Sequence, residues 1–136
     1  MSSLWNNNAL KEALQQVVNN SPPSPANLTL RLFTNNFSPA VTDLIAAYTE
    51  CADGSYAGIP LTGSSWTITT GSGGASATYA GVMFSFAGAN SLYGWYMTDA
   101  ANTKVYAAGN FVSPPISVPS GGGTLTVTPT LPAISP

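Results

Sequence analysis

Four carboxylates, Asp43, Glu50, Asp53 and Asp99, are the side chains of this sequence best suited to chemistry. A glycosidase needs two carboxyl groups about 5–9 Å apart across a cleft the size of a sugar. Glu50 and Asp53 are close in sequence, but Asp53-Gly54 is an ordinary turn signal and the turn reading prevails. No loop carries the regular oxygen-ligand spacing of a calcium site. The chain has one cysteine, Cys51, and no histidine. A serine or cysteine nucleophile therefore has no imidazole base, and Cys/His zinc sites and intrachain disulfides are excluded. Cys51 reads as a small buried hydrophobe. The runs Gly71-Ser72-Gly73-Gly74 and Gly121-Gly122-Gly123 precede neither a lysine nor a helix, so they read as turns rather than phosphate loops. No catalytic residue, cofactor site or metal site is assigned, and the expectation is a protein that is not an enzyme.

The aromatic residues offer a second chemistry. Trp66, Tyr79, Tyr93, Trp95 and Tyr96 could line a sugar-binding face, which makes a carbohydrate-binding module one alternative. The favoured reading is that they fill a β core and stack across strands.

Charge narrows the classes further. Only 6% of the 136 residues are charged, against about 25% in an ordinary soluble domain. The formal net charge is -2. With no basic patch, direct nucleic-acid binding is not expected. No run of 18 apolar residues is present, so no membrane-spanning helix is expected, and with no basic region leading into an apolar stretch a secretory leader is not expected either. The length suits one domain. So few charges leave two options: a neutral, Thr-rich β surface, or a surface buried in an assembly. The second is favoured.

The elements that would position these residues begin with a helix. Leu10, Leu14, Val17 and Val18 recur at i, i+4, i+7 and i+8, one apolar stripe, and they are the predicted interface. Asn6, Asn7 and Asn8 supply N-caps, and Asn19-Asn20-Ser21-Pro22-Pro23 ends the helix. Two readings of the stripe stay open: docking on its own domain, or reaching a neighbouring subunit as an arm. Residues 21–26 form a stiff spacer. The chain is thus divided into an arm and Pro-rich spacer over 1–26, a β domain over 27–130 and an extended tail over 131–136.

Period-two segments follow. Leu28, Leu30 and Leu32 alternate with polar residues, with Phe33 on the other face. Ser38-Pro39 predicts a helix start, with Leu44, Ile45 and Tyr48 packing from a turn or two. Strands are predicted over 56–61, 65–70, 75–86 (the longest, read as central), 92–98, 105–111 and 116–118, with a last one beginning at Leu125 and Val127. Turn signals every 8–12 residues, with no crossover helices, predict an all-β chain. The expected architecture is an antiparallel β-sandwich, a jelly roll being one form of it, with a short N-terminal helical arm.

The segments Leu28-Thr-Leu-Arg-Leu-Phe-Thr-Asn-Asn, Ser38-Pro-Ala, Tyr48-Thr-Glu, Gly54-Ser-Tyr-Ala-Gly, Tyr93-Gly-Trp-Tyr-Met-Thr-Asp and Ile116-Ser-Val-Pro-Ser-Gly-Gly-Gly-Thr-Leu-Thr-Val-Thr-Pro resemble small structural proteins of tailed bacteriophages. The resemblance covers about residues 27–130 and includes no catalytic motif. It implies a virion component: a decoration or cement protein on the outer capsid surface, with the major capsid protein as partner. The low charge and the apolar stripe of Leu10, Leu14 and Val18 add the expectation of self-association as a dimer or trimer. A tail or fibre component is the alternative within that class. Fibre shafts carry internal repeats, and this sequence has none.

Overall fold

A computed structural model describes residues 3–19, 27–72 and 74–132. The fold is mixed, with one short N-terminal helix and several antiparallel β-sheets. The spacer 21–26 and residues 133–136 of the expected tail lie outside the described residues.

The chain opens with strand β1 (Leu4–Trp5) and helix α1 (Asn7–Asn19). Then come β2 (Leu28–Phe33), a 3-10 turn at Ile45–Ala47, β3 (Ile59–Leu61) and a second 3-10 turn at Gly63–Ser65. Next are β4 (Thr67–Gly71), β5 (Gly74–Thr78), β6 (Val82–Phe86), β7 (Asn90–Leu92) and β8 (Gly94–Thr98). The last four are β9 (Val105–Asn110), β10 (Ile116–Val118), β11 (Gly123–Val127) and β12 (Thr130–Leu131). A five-stranded sheet has the order β1-β9-β8-β2-β3. A three-stranded sheet runs β12-β5-β4, and β10-β7 and β11-β6 are two-stranded. All pairings among the described residues are antiparallel.

The five-stranded sheet is covered on both faces. Leu30, Leu32, Trp95, Met97 and Ala107 join Ala77, Val82, Phe84, Phe86, Leu92, Val118, Val127 and Leu131 in one core. That core draws on all four sheets. Phe33, Tyr48, Tyr96, Val105 and Ala108 form a second cluster. There Tyr48 stacks on Tyr96 with ring centroids 4.5 Å apart, and Phe33 meets Tyr48 edge-on at 5.4 Å. Phe33 is fully buried, so the residue that interrupted the alternation of β2 is the anchor of this second layer.

Several segments differ from the sequence expectation; the strand expected over 92–98 is β8 from Gly94 on, while Leu92 belongs to β7, which pairs with β10 in another sheet. Two further differences bear on the packing. The stretch 75–86 is two strands rather than one. β5 ends at Thr78, and after a break over 79–81 β6 pairs with β11 alone, leaving Met83 60% exposed. Partly apolar faces on both sides of this stretch came from two strands in different sheets, not from one central strand. Second, Ser38-Pro39 starts no helix; the only helical turn in this region is Ile45–Ala47. Asp43 turns the chain here, its Oδ2 accepting the Ala40 N–H at 2.8 Å and the Tyr48 hydroxyl at 3.3 Å.

Candidate interaction surface

Helix α1 is built from its cap outward. Asn6 is buried, and its Oδ1 accepts the Asn8 N–H at 3.0 Å. Its backbone N–H bonds the Tyr106 carbonyl at 2.8 Å, and its side-chain amide donates to the Asp43 carbonyl at 2.9 Å. One asparagine therefore caps the helix and ties it to β9 and to the 40–43 turn.

Two more polar side chains hold the helix down. Asn8 Nδ2 donates to the Val105 carbonyl at 3.1 Å. Glu12, one turn on, accepts the Tyr106 hydroxyl at 2.9 Å and lies 3.9 Å from Lys104 Nζ. The Glu12 side chain is only 13% exposed. Burial, and then the bond to Glu12, push the Tyr106 hydroxyl well above the usual tyrosine range.

At 3.6 residues per turn, Asn8 and Glu12 share one face of α1. The predicted interface residues lie round the other side. Leu14, Val17 and Val18 are 64%, 84% and 74% exposed, and Leu10 is half-buried. The helix docks by its polar face and turns its apolar stripe outward, the reverse of an ordinary surface helix. The helix docks on its own domain, but not by the stripe: Leu14, Val17 and Val18, expected to dock there in one of the two readings, stay exposed. Val41 and Leu44, beside the helix N-terminus through the Asn7–Val41 and Asn6–Asp43 hydrogen bonds, are also exposed.

The candidate carboxylates are engaged within the chain. Glu50 Oε2 accepts Arg31 Nη1 at 2.8 Å and the Tyr56 hydroxyl at 2.9 Å. Arg31 Nε also donates to Thr98 Oγ1 at 2.9 Å, and the Tyr56 hydroxyl accepts the Leu32 N–H at 3.0 Å. Asp53 accepts the N–H groups of Ser55 and Ala87, both at 2.8 Å, that of Gly88 at 3.0 Å, and the Asn90 amide at 2.9 Å. These donors, the Ala87 N–H foremost, lower its carboxyl to about 2. Asp99 caps its own turn through Thr103 and Lys104. Burial works against its ionisation, but those hydrogen bonds outweigh it and the carboxyl is lowered.

Glu50, Asp53, Thr34, Thr49, Asn90 and Ser91 border an open groove of about 520 Å³. Its carboxylates are the two just described, each already serving as an acceptor for protein donors. Among the described residues no three of His, Cys, Asp and Glu gather as a metal-holding group. Cys51 is buried, with Sγ 3.4 Å from Asn90 Oδ1; burial raises its thiol pKa.

The aromatic candidates do not share a face. Trp95 and Tyr96 point into the two different clusters. Trp66 and Tyr79 are half-buried and pack edge-on at 5.2 Å. Sequence reasoning missed β1, since Leu4 and Trp5 are too short a run to carry a period. Trp5 Nε1 donates to the Pro132 carbonyl at 2.9 Å, and Ser3 Oγ to that of Thr130 at 2.6 Å, so this segment joins β9 to β12.

The chain matches no protein-family model and no curated protein by sequence.

Proposed function

We propose that this is a non-enzymatic virion structural protein: a decoration or cement protein on the outer capsid surface that bridges and stabilises neighbouring major capsid protein subunits. In this reading the sheets stack as a β-sandwich, because one core cluster draws side chains from all four of them. The protein is a dimer or trimer on the shell, binds no nucleic acid directly and enters no membrane.

The observation that carries the reading is the outward stripe of Leu14, Val17 and Val18 on a helix held down by Asn6, Asn8 and Glu12. A short apolar face held outward on a β body suits a seam between repeated subunits. The charges support it. Arg31, Glu50, Glu12, Asp53 and Asp99 all make internal bonds, which leaves Lys11 and Lys104 as the exposed charges of a sparsely charged surface, of the kind an assembly covers. Binding only to the assembled shell stabilises that shell by mass action.

The test is to locate the protein on intact particles by electron cryomicroscopy, beside the triple variant Leu14→Ser, Val17→Ser, Val18→Ser. Density at capsomer seams or symmetry axes, lost in the variant, is the expected result. Each exposed position should change stability by no more than about 0.5 kcal/mol. Density confined to the tail overturns the capsid assignment and makes this a tail component.

A further inference from the structure

The hairpin of β4 and β5 carries an edge unlike the others of the two larger sheets. β1 and β12 have two residues each, and β12 lies between Pro129 and Pro132. β3 has Pro60 at its centre. Short edges and prolines are the ordinary guards against strand addition. β4, Thr67-Ile68-Thr69-Thr70-Gly71, has no proline and no charge, and all five residues are exposed.

The register decides which of its backbone groups are free. Gly71 pairs with Gly74 across residues 72 and 73. A pair closing a two-residue connection must be a hydrogen-bonded one, so Thr69 and Thr67 also bond to β5. Ile68 and Thr70 alternate with them and direct their N–H and C=O groups away from β5. Among the described residues no hydrogen bond reaches those four groups. On one face, Ile68, Ala75, Ala77 and the half-buried Trp5 line an apolar groove of about 220 Å³, with Ile68 62% exposed.

We propose that β4 is a homodimer interface, in which the β4 strands of two copies pair antiparallel about a two-fold axis and join two three-stranded sheets into one of six. The strand is complementary to itself. With Thr69 facing its own copy on the axis, Ile68 pairs with Thr70 of the other copy and all four free groups on each strand find partners. No charge opposes its like across the axis. The two Ile68 side chains become diagonal neighbours on the grooved face and extend one apolar floor across both copies. A foreign strand would gain the same backbone bonds but not this doubled groove. The inference goes beyond the virion reading and holds in free solution.

Five residues a side fall short of a standard interface, so the dimer is weak, with a Kd on the order of 10–100 µM. Sedimentation velocity on the whole chain over a concentration series tests it. The wild type should pass from monomer to dimer. Thr69→Lys, which sets two cations face to face on the axis, should raise Kd at least tenfold, and mixing it with Thr69→Asp should restore a dimer. Thr70→Pro removes an outward donor that β5 does not use and should also leave a monomer, with an unchanged circular dichroism spectrum confirming the fold of each variant. A wild type that stays monomeric to about 1 mM, ten times the upper constant, overturns the proposal. So does a Thr69→Lys variant that dimerises like the wild type, which would move self-association to another face such as α1.

Discussion

The Glu12 carboxylate accepts the Tyr106 hydroxyl at 2.9 Å across 94 residues of sequence, and this contact sets which way α1 faces. A helix with Leu10, Leu14, Val17 and Val18 on one side would ordinarily roll that side onto the sheet. Glu12 and Asn8 hold the opposite side against β9 instead. The orientation of the stripe therefore rests on a few polar contacts rather than on apolar burial.

Replacing Tyr106 by Phe should accordingly cost more than a lost hydroxyl on the surface. Glu12 would keep its partial burial and retain only Lys104, at 3.9 Å, as an ionic neighbour. The expected loss is about 1–3 kcal/mol, read from the urea midpoint. Amide exchange should quicken first over residues 7–19, because the helix is released before the sheets open.

Asp53 gives the fold an acid limit. Its carboxyl is lowered to about 2, so the native state holds this proton less tightly than the unfolded chain, where an aspartate titrates near about 3.9. The contribution is fully present above about pH 4 and fades as pH falls toward 2. Asp53→Ala should lower the melting temperature at pH 7, and the difference from wild type should shrink as the scan reaches pH 2. A constant difference across that range would contradict the assignment.

The Arg31–Glu50 pair is partly buried, with side chains 14% and 25% exposed. Arg31→Met leaves Glu50 with only the Tyr56 hydroxyl. The cost should be about 1–3 kcal/mol, less than for a fully buried pair because water reaches the carboxylate. The double variant Arg31→Met, Glu50→Gln should recover part of it, since no unpaired charge remains. A double-mutant cycle by urea unfolding measures the coupling.

Gly94 is where the central strand β8 tolerates no side chain. A Cβ there would collide with the Gly109 carbonyl and come within 2.6 Å of Phe33 Cζ. Gly94→Ala should destabilise by about 1–3 kcal/mol or more through overpacking. Loss of the near-ultraviolet signal from the Phe33–Tyr48–Tyr96 cluster should accompany it.

Much of this arrangement was legible in the residues, and the rest was not for definite reasons. Leu28, Leu30 and Leu32 announced β2 because Thr29 and Arg31 between them keep the period of two, although the second face is covered as well. The antiparallel pattern and the helix were readable for similar reasons, since periodicity is local. The division of 75–86 was not, because Tyr79, Ala80 and Gly81 continue the apolar rhythm while the chain passes from one sheet to another. Neither was the direction of the α1 stripe. That depends on Tyr106 and Val105, distant residues whose claim on Asn8 and Glu12 leaves no local trace. The carboxylates were visible as turn formers at Asp53, but the reach of Asp53 to 87–90 lies 34 residues or more away.

The ties from Ser3 and Trp5 to the carbonyls of Thr130 and Pro132 span 127 residues each. On a ribosome, which makes chain at roughly 5–20 residues per second, the first strand has nowhere to settle until β9 and then β12 have emerged. This segment is thus synthesised before every strand it pairs with and is among the last to dock. While it waits, the outer edge of β9 stands open to other chains. Contacts of such long range also slow folding. Yield in a cell should then depend on how crowded the nascent chains are, and slower initiation at the same total synthesis should give more soluble protein.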